Sequence, residues 1–204
     1  NPHNEHHTAG GSSSGSAAAV ASGTAALAFG TQTGGSTLRP ASFCGIFGMK
    51  PTFGLVSREG AKLYSISLDT IGWYGRSVAD LALMAKAQRA IRRPLQLNSD
   101  VKGKRFGIYQ MPGSKRAEPE AIAALASTAD QLSNAGASVV ELTLPREFSD
   151  LAKMQLTIMK GEGRAAFLDD YLQHYDLLAQ DFRDCVEDVD NISFSDLRTA
   201  KDHV

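Results

Sequence analysis

The chain has 204 residues, of which 43% are hydrophobic and 21% are charged, and a formal net charge of −1. This composition can bury a core, which excludes a chain that is disordered throughout, and the near-neutral charge gives no electrostatic footprint for nucleic acid or an anionic membrane. No apolar run reaches the ~18 residues of a membrane-spanning helix, so we expect no membrane partner. The two cysteines lie far apart in the sequence, which favours a reduced, cytoplasmic protein.

The first part of the chain is predicted to alternate short helices, short strands and glycine-rich loops. Serines mark a helix start, paired glycines break regular structure, and proline favours the first turn of a helix. These signals predict a helix over 14–21, a buried strand over 24–30, a loop over 31–38, a short helix over 39–44 and irregular or short strand structure over 45–57.

The rest of the chain is predicted to hold longer helices. Ser77 is the expected N-cap of a helix because apolar residues follow it at helical spacing. Strand, helix and strand signals then follow with short joins over 104–110, 118–134 and 137–144, which predicts a parallel βαβ unit. The pattern from residue 150 onward is helical. The predicted fold class is α/β.

Two runs rich in glycine and serine stand close together in the chain. They read GGSSSGSAAAVASG at 10–23 and GTQTGGSTLRPASFCG at 30–45. Neither holds the phosphate-binding patterns GxxxxGK[ST] or GxGxxG, and neither holds the GxSxG elbow of α/β-hydrolases. The two runs therefore indicate that glycine stands beside serine for a reason other than phosphate binding or a nucleophile elbow.

Paired glycines before a serine suit a site that stabilises an oxyanion. A chain without Cβ atoms can direct several backbone N–H groups toward one point, and a tetrahedral acyl intermediate requires such donors. The expected donors belong to Thr33, Gly34, Gly35 and Ser36. A serine nucleophile also needs a neighbour that takes its proton.

Together with SISLDTIGWYGRSVADLAL at 65–83, these two runs resemble the amidase signature family. The resemblance is dense over residues 8–86, and the helical and βαβ remainder, 87–204, is consistent with it. It implies that 1–204 is part of a single domain with a mixed β-sheet sandwiched between helical layers. The family domain is longer than this chain, so we expect a fragment of it.

The resemblance implies a Ser-Ser-Lys triad. Ser36 aligns with the acylated nucleophile, and Ser12 aligns with the bridging serine that follows a cis peptide bond, here Gly11–Ser12. The family's lysine lies upstream of the first run, so we expect this chain to lack it; Lys50 matches a different family lysine. Ser13 and Gln32 are expected to support the two serines.

Two positions depart from the family pattern. The family usually carries Asp where Gln32 stands, and its arginine lies two residues after the nucleophile, whereas Arg39 lies three residues after Ser36. The departures indicate a variant subgroup and leave the role of this arginine open.

The expected function is hydrolysis of a carbon–nitrogen bond in a linear, small-molecule amide through an acyl-serine. This chemistry needs no cofactor and no metal, and we expect no direct nucleic-acid partner; a homo-oligomer is left open. The alternatives are the glutaminase-type subunit of a tRNA-dependent amidotransferase and a catalytically inactive, amidase-like binding protein. As purely structural alternatives, Ser12 and Ser13 cap a helix, Ser36 caps the following segment, and Asp69 forms a turn or a structural hydrogen bond.

Overall fold

The computed structural model describes residues 1–91, 95, 97, 100–109 and 117–203. Its residues lie in two compact units, one formed by Asn1–Gln96 with Lys153–Val204 and the other by Leu97–Ala152. Helices and strands occur in both units, so the predicted α/β class is confirmed. The extent of a single domain over 1–204 stays a prediction.

Three strands of the larger unit form an antiparallel sheet. They are β1 (Ala28–Gln32), β2 (Phe47–Met49) and β3 (Thr70–Gly75). β3 lies in the centre, pairs with both neighbours and is buried along almost its whole length. The sequence analysis missed β3, because a strand with two glycines has weak β-propensity.

Gly72 in β3 shows why a glycine occupies a central strand. A Cβ at this position would lie 2.4 Å from the carbonyl oxygen of Met49 and 2.9 Å from the Cγ2 atom of Thr37. The close approach of the neighbouring strand and loop therefore requires a residue without a side chain.

Short helices cover the sheet of the larger unit as predicted. They are α1 (Ser14–Ala21), α2 (Leu38–Phe43) and α3 (Val78–Ala87). The buried side chains of α1, α2 and β3 form one apolar cluster of Ala17, Val20, Ala41, Cys44 and Tyr74. The strand predicted over 24–30 begins four residues later, as β1, and its last three residues are the first three of the second glycine-rich run.

Ser77 is the N-cap of α3, as predicted. Its Oγ accepts a hydrogen bond from the backbone N–H of Asp80 at 3.0 Å. The indole N–H of Trp73 donates to the carbonyl of Leu81 at 3.1 Å and fastens the helix to β3.

The smaller unit contains the predicted parallel βαβ arrangement. It consists of β4 (Arg105–Ile108), α4 (Pro119–Asn134) and β5 (Ser138–Glu141). Gly136, the predicted stop signal, follows α4 with a φ of +85°. The end of the first predicted strand, residue 110, lies outside the described residues.

The last part of the chain is helical, as predicted. Its α-helices are α5 (Leu151–Ala166), α6 (Leu168–His174), α7 (Gln180–Glu187) and α8 (Phe194–His203), with short 3₁₀ helices at Arg146–Asp150 and Tyr175–Leu177. Tyr64, Phe167 and Phe182 form an aromatic cluster with ring centroids 4.6–6.0 Å apart. Among the described residues, no helix is long and apolar enough to cross a membrane.

Candidate active site

The two glycine- and serine-rich runs meet in the folded chain through Ser13. Its backbone N–H donates to the carbonyl oxygen of Ser36 at 3.2 Å. Its Oγ accepts the N–H of Thr31 at 3.0 Å and donates to the carbonyl of Thr31 at 3.2 Å. Ser13 thus joins the start of α1 both to β1 and to the loop after it.

Ser12 and Ser36 lie on the two loops that Ser13 joins. The Gly11–Ser12 peptide bond is cis, as the family resemblance implies, and Ser12 is exposed. Ser36 is half-buried in the bend between β1 and α2. The hydrogen bonds of Ser13 hold the two loops next to each other. Among the described residues there is no direct hydrogen bond between the hydroxyl groups of Ser12 and Ser36.

The loop before Ser36 offers a set of consecutive backbone donors. Within the described part of the chain, the N–H groups of Gly34, Gly35 and Ser36 donate to no protein acceptor. Gly34 is exposed and Gly35 and Ser36 are half-buried, so these donors are open to solvent or to a ligand. The role of these groups as an oxyanion hole stays a prediction.

Gln32 supports this loop from the end of β1. Its buried Oε1 accepts the backbone N–H groups of Thr37 and Leu38, each at 3.0 Å. These are donors of the first turn of α2 that have no partner within the helix. The neutral amide therefore fixes the helix that follows Ser36 without adding a charge.

Asp69, predicted from the sequence to form a turn or a structural hydrogen bond, forms such bonds next to the candidate site. Its buried carboxylate accepts the Thr33 hydroxyl at 2.6 Å through Oδ1 and the backbone N–H groups of Tyr64 and Ser65 at 2.6 and 3.2 Å through Oδ2. The carboxylate thus ties the start of the TGGS loop to the segment before β3. The SISLDTIG motif drew attention to Asp69, but its hydrogen-bond partner Thr33 could not be predicted from the motif.

Two polar side chains contact the glycines of the TGGS loop. A Cβ on Gly35 would lie 2.8 Å from Nη2 of Arg39, and a Cβ on Gly34 would lie 3.3 Å from Nε2 of Gln155 in α5. Gln155 also donates to the carbonyl of Thr33 at 3.4 Å. The two glycines therefore allow the side chains of Arg39 and Gln155 to approach the loop closely. No sequence pattern predicts either contact.

Arg39 connects the TGGS loop to the loop that carries Ser12. Its Nη1 donates to the carbonyl oxygen of Gly11 at 3.3 Å, while its backbone N–H donates to the carbonyl of Gly35 at 2.8 Å. The side chain is exposed. It therefore places a positive charge beside both predicted catalytic loops.

Glu162 of α5 anchors the segment that carries Asp69. Its carboxylate accepts the Ser65 hydroxyl at 2.5 Å, the Ser67 hydroxyl at 2.5 Å and the Ser67 N–H at 2.9 Å, and it pairs with Lys201 of α8 at 2.5 Å. Burial opposes the charge of this side chain, but the hydrogen bonds from Lys201, Ser65 and Ser67 outweigh it and lower the pKa of Glu162 to about 2.

Lys50 and Lys62, the lysines closest in sequence to the two runs, form hydrogen bonds away from the predicted serines. Lys50 donates to the carbonyl of Pro51 at 2.7 Å, and Lys62 pairs with Asp170 at 2.5 Å. Among the described residues, no lysine side chain forms a hydrogen bond with Ser12 or Ser36.

Comparison with known proteins identifies the family. A profile of the amidase family matches residues 1–199. The A subunit of the glutamyl-tRNA(Gln) amidotransferase of Thermosynechococcus vestitus is 42% identical over 159 residues, which cover 72% of this chain and 33% of that protein. The chain thus spans about a third of the length of this curated relative.

Comparison with solved structures supports the same family assignment. A crystal structure of an amidase superposes with a TM-score of 0.84 at 30% identity, over 96% of this chain and 44% of that protein. The native peptide amidase from Stenotrophomonas maltophilia gives a TM-score of 0.65 at 32% identity, over 98% of this chain and 46% of that protein. The profile match over nearly the whole chain and these similarities show that the chain belongs to the amidase signature family.

Proposed function

We propose that the protein hydrolyses a carbon–nitrogen bond of a linear amide through an acyl intermediate on Ser36. The supporting observation is the row of unpaired N–H groups of Gly34, Gly35 and Ser36 beside the serine hydroxyl. Such donors act on the charge that develops in the transition state, and removal of one typically lowers the rate by about 10²- to 10³-fold. Thr33 completes the loop that presents them.

In this mechanism the Ser36 hydroxyl attacks the amide carbonyl carbon, and the carbonyl oxygen becomes the oxyanion held by the loop. Collapse of the tetrahedral intermediate breaks the carbon–nitrogen bond, and the amine leaves with a proton delivered through Ser12. Water then attacks the acyl-serine, releases the carboxylic acid and restores the Ser36 hydroxyl. Ser13 and Gln32 hold the two loops in place through their hydrogen bonds.

The proton acceptor that starts the reaction is the lysine that the family resemblance implies. Lys50 and Lys62 are engaged with Pro51 and Asp170, so we assign this role to neither. A lysine in this role must be neutral near pH 7, which requires burial to lower its pKa from the usual value of about 10.4.

The nucleophile is tested with a fluorophosphonate probe and peptide mass spectrometry on the protein expressed from its complete gene. We expect one adduct on Ser36, none in the Ser36→Ala variant, and slower labelling in Ser12→Ala. Ser42→Ala is the matched control, because Ser42 is exposed at the other end of α2. An adduct on another residue would overturn the assignment of Ser36, and no adduct at all would favour the inactive binding protein.

A glutaminase-type subunit of a tRNA-dependent amidotransferase is the second candidate. The observation that favours it is the 42% identity to the glutamyl-tRNA(Gln) amidotransferase protein of Thermosynechococcus vestitus. This candidate requires ammonia release from glutamine that increases strongly when partner subunits and tRNA are present. Hydrolysis of simple amides by the isolated protein, with no increase on addition of partners, supports the amidase instead.

A further inference from the structure

We propose that the hydroxyl group of Tyr74 positions the nucleophile, because it holds the backbone carbonyl of Ser36 and thereby limits where the serine can lie relative to the N–H groups of its own loop. Tyr74 is a positioning residue in this proposal, since it contacts the backbone of Ser36 and not the reacting atoms. The inference rests on the proposed function and deepens it by adding a residue that lies outside both glycine- and serine-rich runs.

The hydroxyl group of Tyr74 makes a polar contact inside the apolar core. Tyr74 belongs to the central strand β3 and is fully buried. Its hydroxyl donates to the carbonyl oxygen of Ser36 at the long distance of 3.4 Å, across 38 residues of sequence. Burial raises the pKa of Tyr74, so the hydroxyl keeps its proton and remains a donor. A buried hydroxyl is costly without a partner, and phenylalanine would fill the same space without that cost, so the polar contact and not the packing explains the hydroxyl.

The peptide group that follows Ser36 is held on both of its sides. Its carbonyl oxygen accepts the Tyr74 hydroxyl and also the backbone N–H of Ser13 at 3.2 Å. Its N–H, which belongs to Thr37, donates to Oε1 of Gln32 at 3.0 Å. These partners come from β3, from the N-terminus of α1 and from the end of β1. The orientation of the peptide on the C-terminal side of the nucleophile is therefore fixed.

The peptide groups that precede the nucleophile lack such partners for their donors. Within the described part of the chain, the N–H groups of Gly34, Gly35 and Ser36 donate to no protein acceptor. Donors of this kind stabilise an oxyanion only while they keep a fixed geometry relative to the reacting oxygen. Because two glycines precede Ser36, the backbone on that side has many accessible conformations. The fixed peptide on the other side therefore limits how far the serine can move.

The neighbouring strand leaves space at the hydroxyl end of the tyrosine ring. A Cβ atom on Gly30 of β1 would lie 2.9 Å from Cε2 and 3.0 Å from the hydroxyl oxygen of Tyr74, and 3.1 Å from Cβ of Ser13. These distances are well below the optimal separation of carbon atoms. Gly30 thus allows Tyr74 and Ser13 to reach the same carbonyl group. A methyl group at this position would displace the hydroxyl, which provides a second way to test the contact.

The test measures covalent labelling of Ser36, because this measurement does not depend on the identity of the natural substrate. The protein expressed from its complete gene is treated with a fluorophosphonate, and kinact and KI are determined for the wild type and for Tyr74→Phe. Tyr171→Phe is the matched control, since Tyr171 on α6 donates to Glu187 at 2.8 Å and also loses only a hydroxyl. Val20→Ala is the control for destabilisation, because Val20 packs in the same apolar cluster as Tyr74.

We expect kinact to fall by ~10-fold in Tyr74→Phe, because a small displacement of a reacting group lowers a rate strongly. KI stays within about 2-fold of the wild type, since the lost contact does not involve the reagent. Tyr171→Phe and Val20→Ala keep kinact within about 2-fold of the wild type, under conditions in which urea unfolding shows each variant to be fully folded.

Gly30→Ala displaces the hydroxyl of Tyr74 without removing it, and we expect this variant to slow labelling as well. In the double variant Gly30→Ala/Tyr74→Phe, loss of the hydroxyl then lowers kinact little further, so the two effects do not add. Full additivity of the two effects would contradict a shared action through the Ser36 carbonyl.

Three further results would overturn the inference. Equal kinact for the wild type and Tyr74→Phe leaves the proposed hydrolysis intact and removes the role of Tyr74. A fall of kinact in Val20→Ala as large as in Tyr74→Phe shows that the tyrosine acts only through the stability of the apolar cluster. Absence of any adduct on Ser36 in the wild type removes the proposed function and this inference with it.

Discussion

Replacement of Glu162 by glutamine is expected to destabilise the protein by an amount that depends on pH. Glutamine has the shape of the protonated carboxyl group, so the substitution approximates permanent protonation. The side chain of Glu162 is 6% exposed and has four polar contacts to Ser65, Ser67 and Lys201. Loss of its charge leaves the Lys201 ammonium without its carboxylate partner.

The magnitude follows from the pKa of Glu162. The pKa falls from 4.5 to about 2 in the folded protein, because the hydrogen bonds from Lys201, Ser65 and Ser67 to the charged form outweigh the opposing effect of burial. A lowered folded-state pKa gives stability that is present above pH 4.5 and is lost as the pH falls toward 2. The shift corresponds to about 3 kcal/mol at pH 7 and about 1 kcal/mol at pH 3.

The measurement is urea unfolding of wild type and Glu162→Gln at several pH values between 7 and 3. We expect the free energy of unfolding to differ by about 3 kcal/mol at pH 7, with about 2 kcal/mol of this difference lost by pH 3. Glu59→Gln is the control, because Glu59 is exposed and forms no ion pair among the described residues. We expect a change within about 0.5 kcal/mol for it at every pH.

A constant difference between wild type and Glu162→Gln across this range would refute the reasoning, since the effect would then come from shape or packing and not from charge. The same variant also tests the link to the candidate site. Glu162 holds the segment that carries Asp69, so we expect a lower kcat in Glu162→Gln under conditions in which the variant is fully folded.

The other predictions concern the sheet and the two loops. Gly72→Ala places a Cβ 2.4 Å from the carbonyl oxygen of Met49 and is expected to lower the free energy of unfolding by about 2 kcal/mol; Gly15→Ala, which meets no atom within 4 Å, is the control, and equal effects would contradict the packing argument. Asp69→Asn removes the negative charge and leaves one acceptor oxygen where the carboxylate offers two to the Thr33 hydroxyl and two backbone N–H groups, so we expect a loss of about 1–3 kcal/mol in urea unfolding and a lower kcat, whereas unchanged values would exclude a positioning role. Ser13→Ala removes both side-chain hydrogen bonds to β1 and is expected to cost about 1–2 kcal/mol and to reduce labelling of the nucleophile, and normal labelling would show that the loops meet without it.

Local signals were sufficient for many elements of this fold. Serine caps, proline in a first turn and helical spacing of apolar residues depend on neighbours a few positions away, so they predicted α1, α2 and α3 closely. The parallel β4–α4–β5 unit followed from the order of its elements. β3 was missed because it contains two glycines, and one of them, Gly72, is explained by the close approach of β2 and the loop at Thr37, which are distant in sequence.

The candidate site likewise has features that the sequence predicts and features that only the folded chain shows. Sequence alone located the two runs and predicted the roles of the two serines and of the TGGS donors, since these depend on residue types at short spacing and on the family resemblance. It also implied the cis bond that the structure shows before Ser12. The meeting of both runs at Ser13 required the folded chain, because the carbonyl of Ser36 lies 23 residues away from its donor in the sequence.

The sequence by itself therefore determined where the two loops lie and which chemistry is predicted for them. Only the tertiary structure decided which side chains hold these loops in place. Asp69 reaches Thr33 across 36 residues, Glu162 reaches Ser65 across 97, and Gln155 reaches Thr33 across 122. Such contacts leave no periodic or local signal in the chain, because a hydrogen bond depends on distance in space and not on separation in sequence. The position of Arg39 against Gly35 belongs to the same class, since the path of its side chain is set by the loops that it contacts.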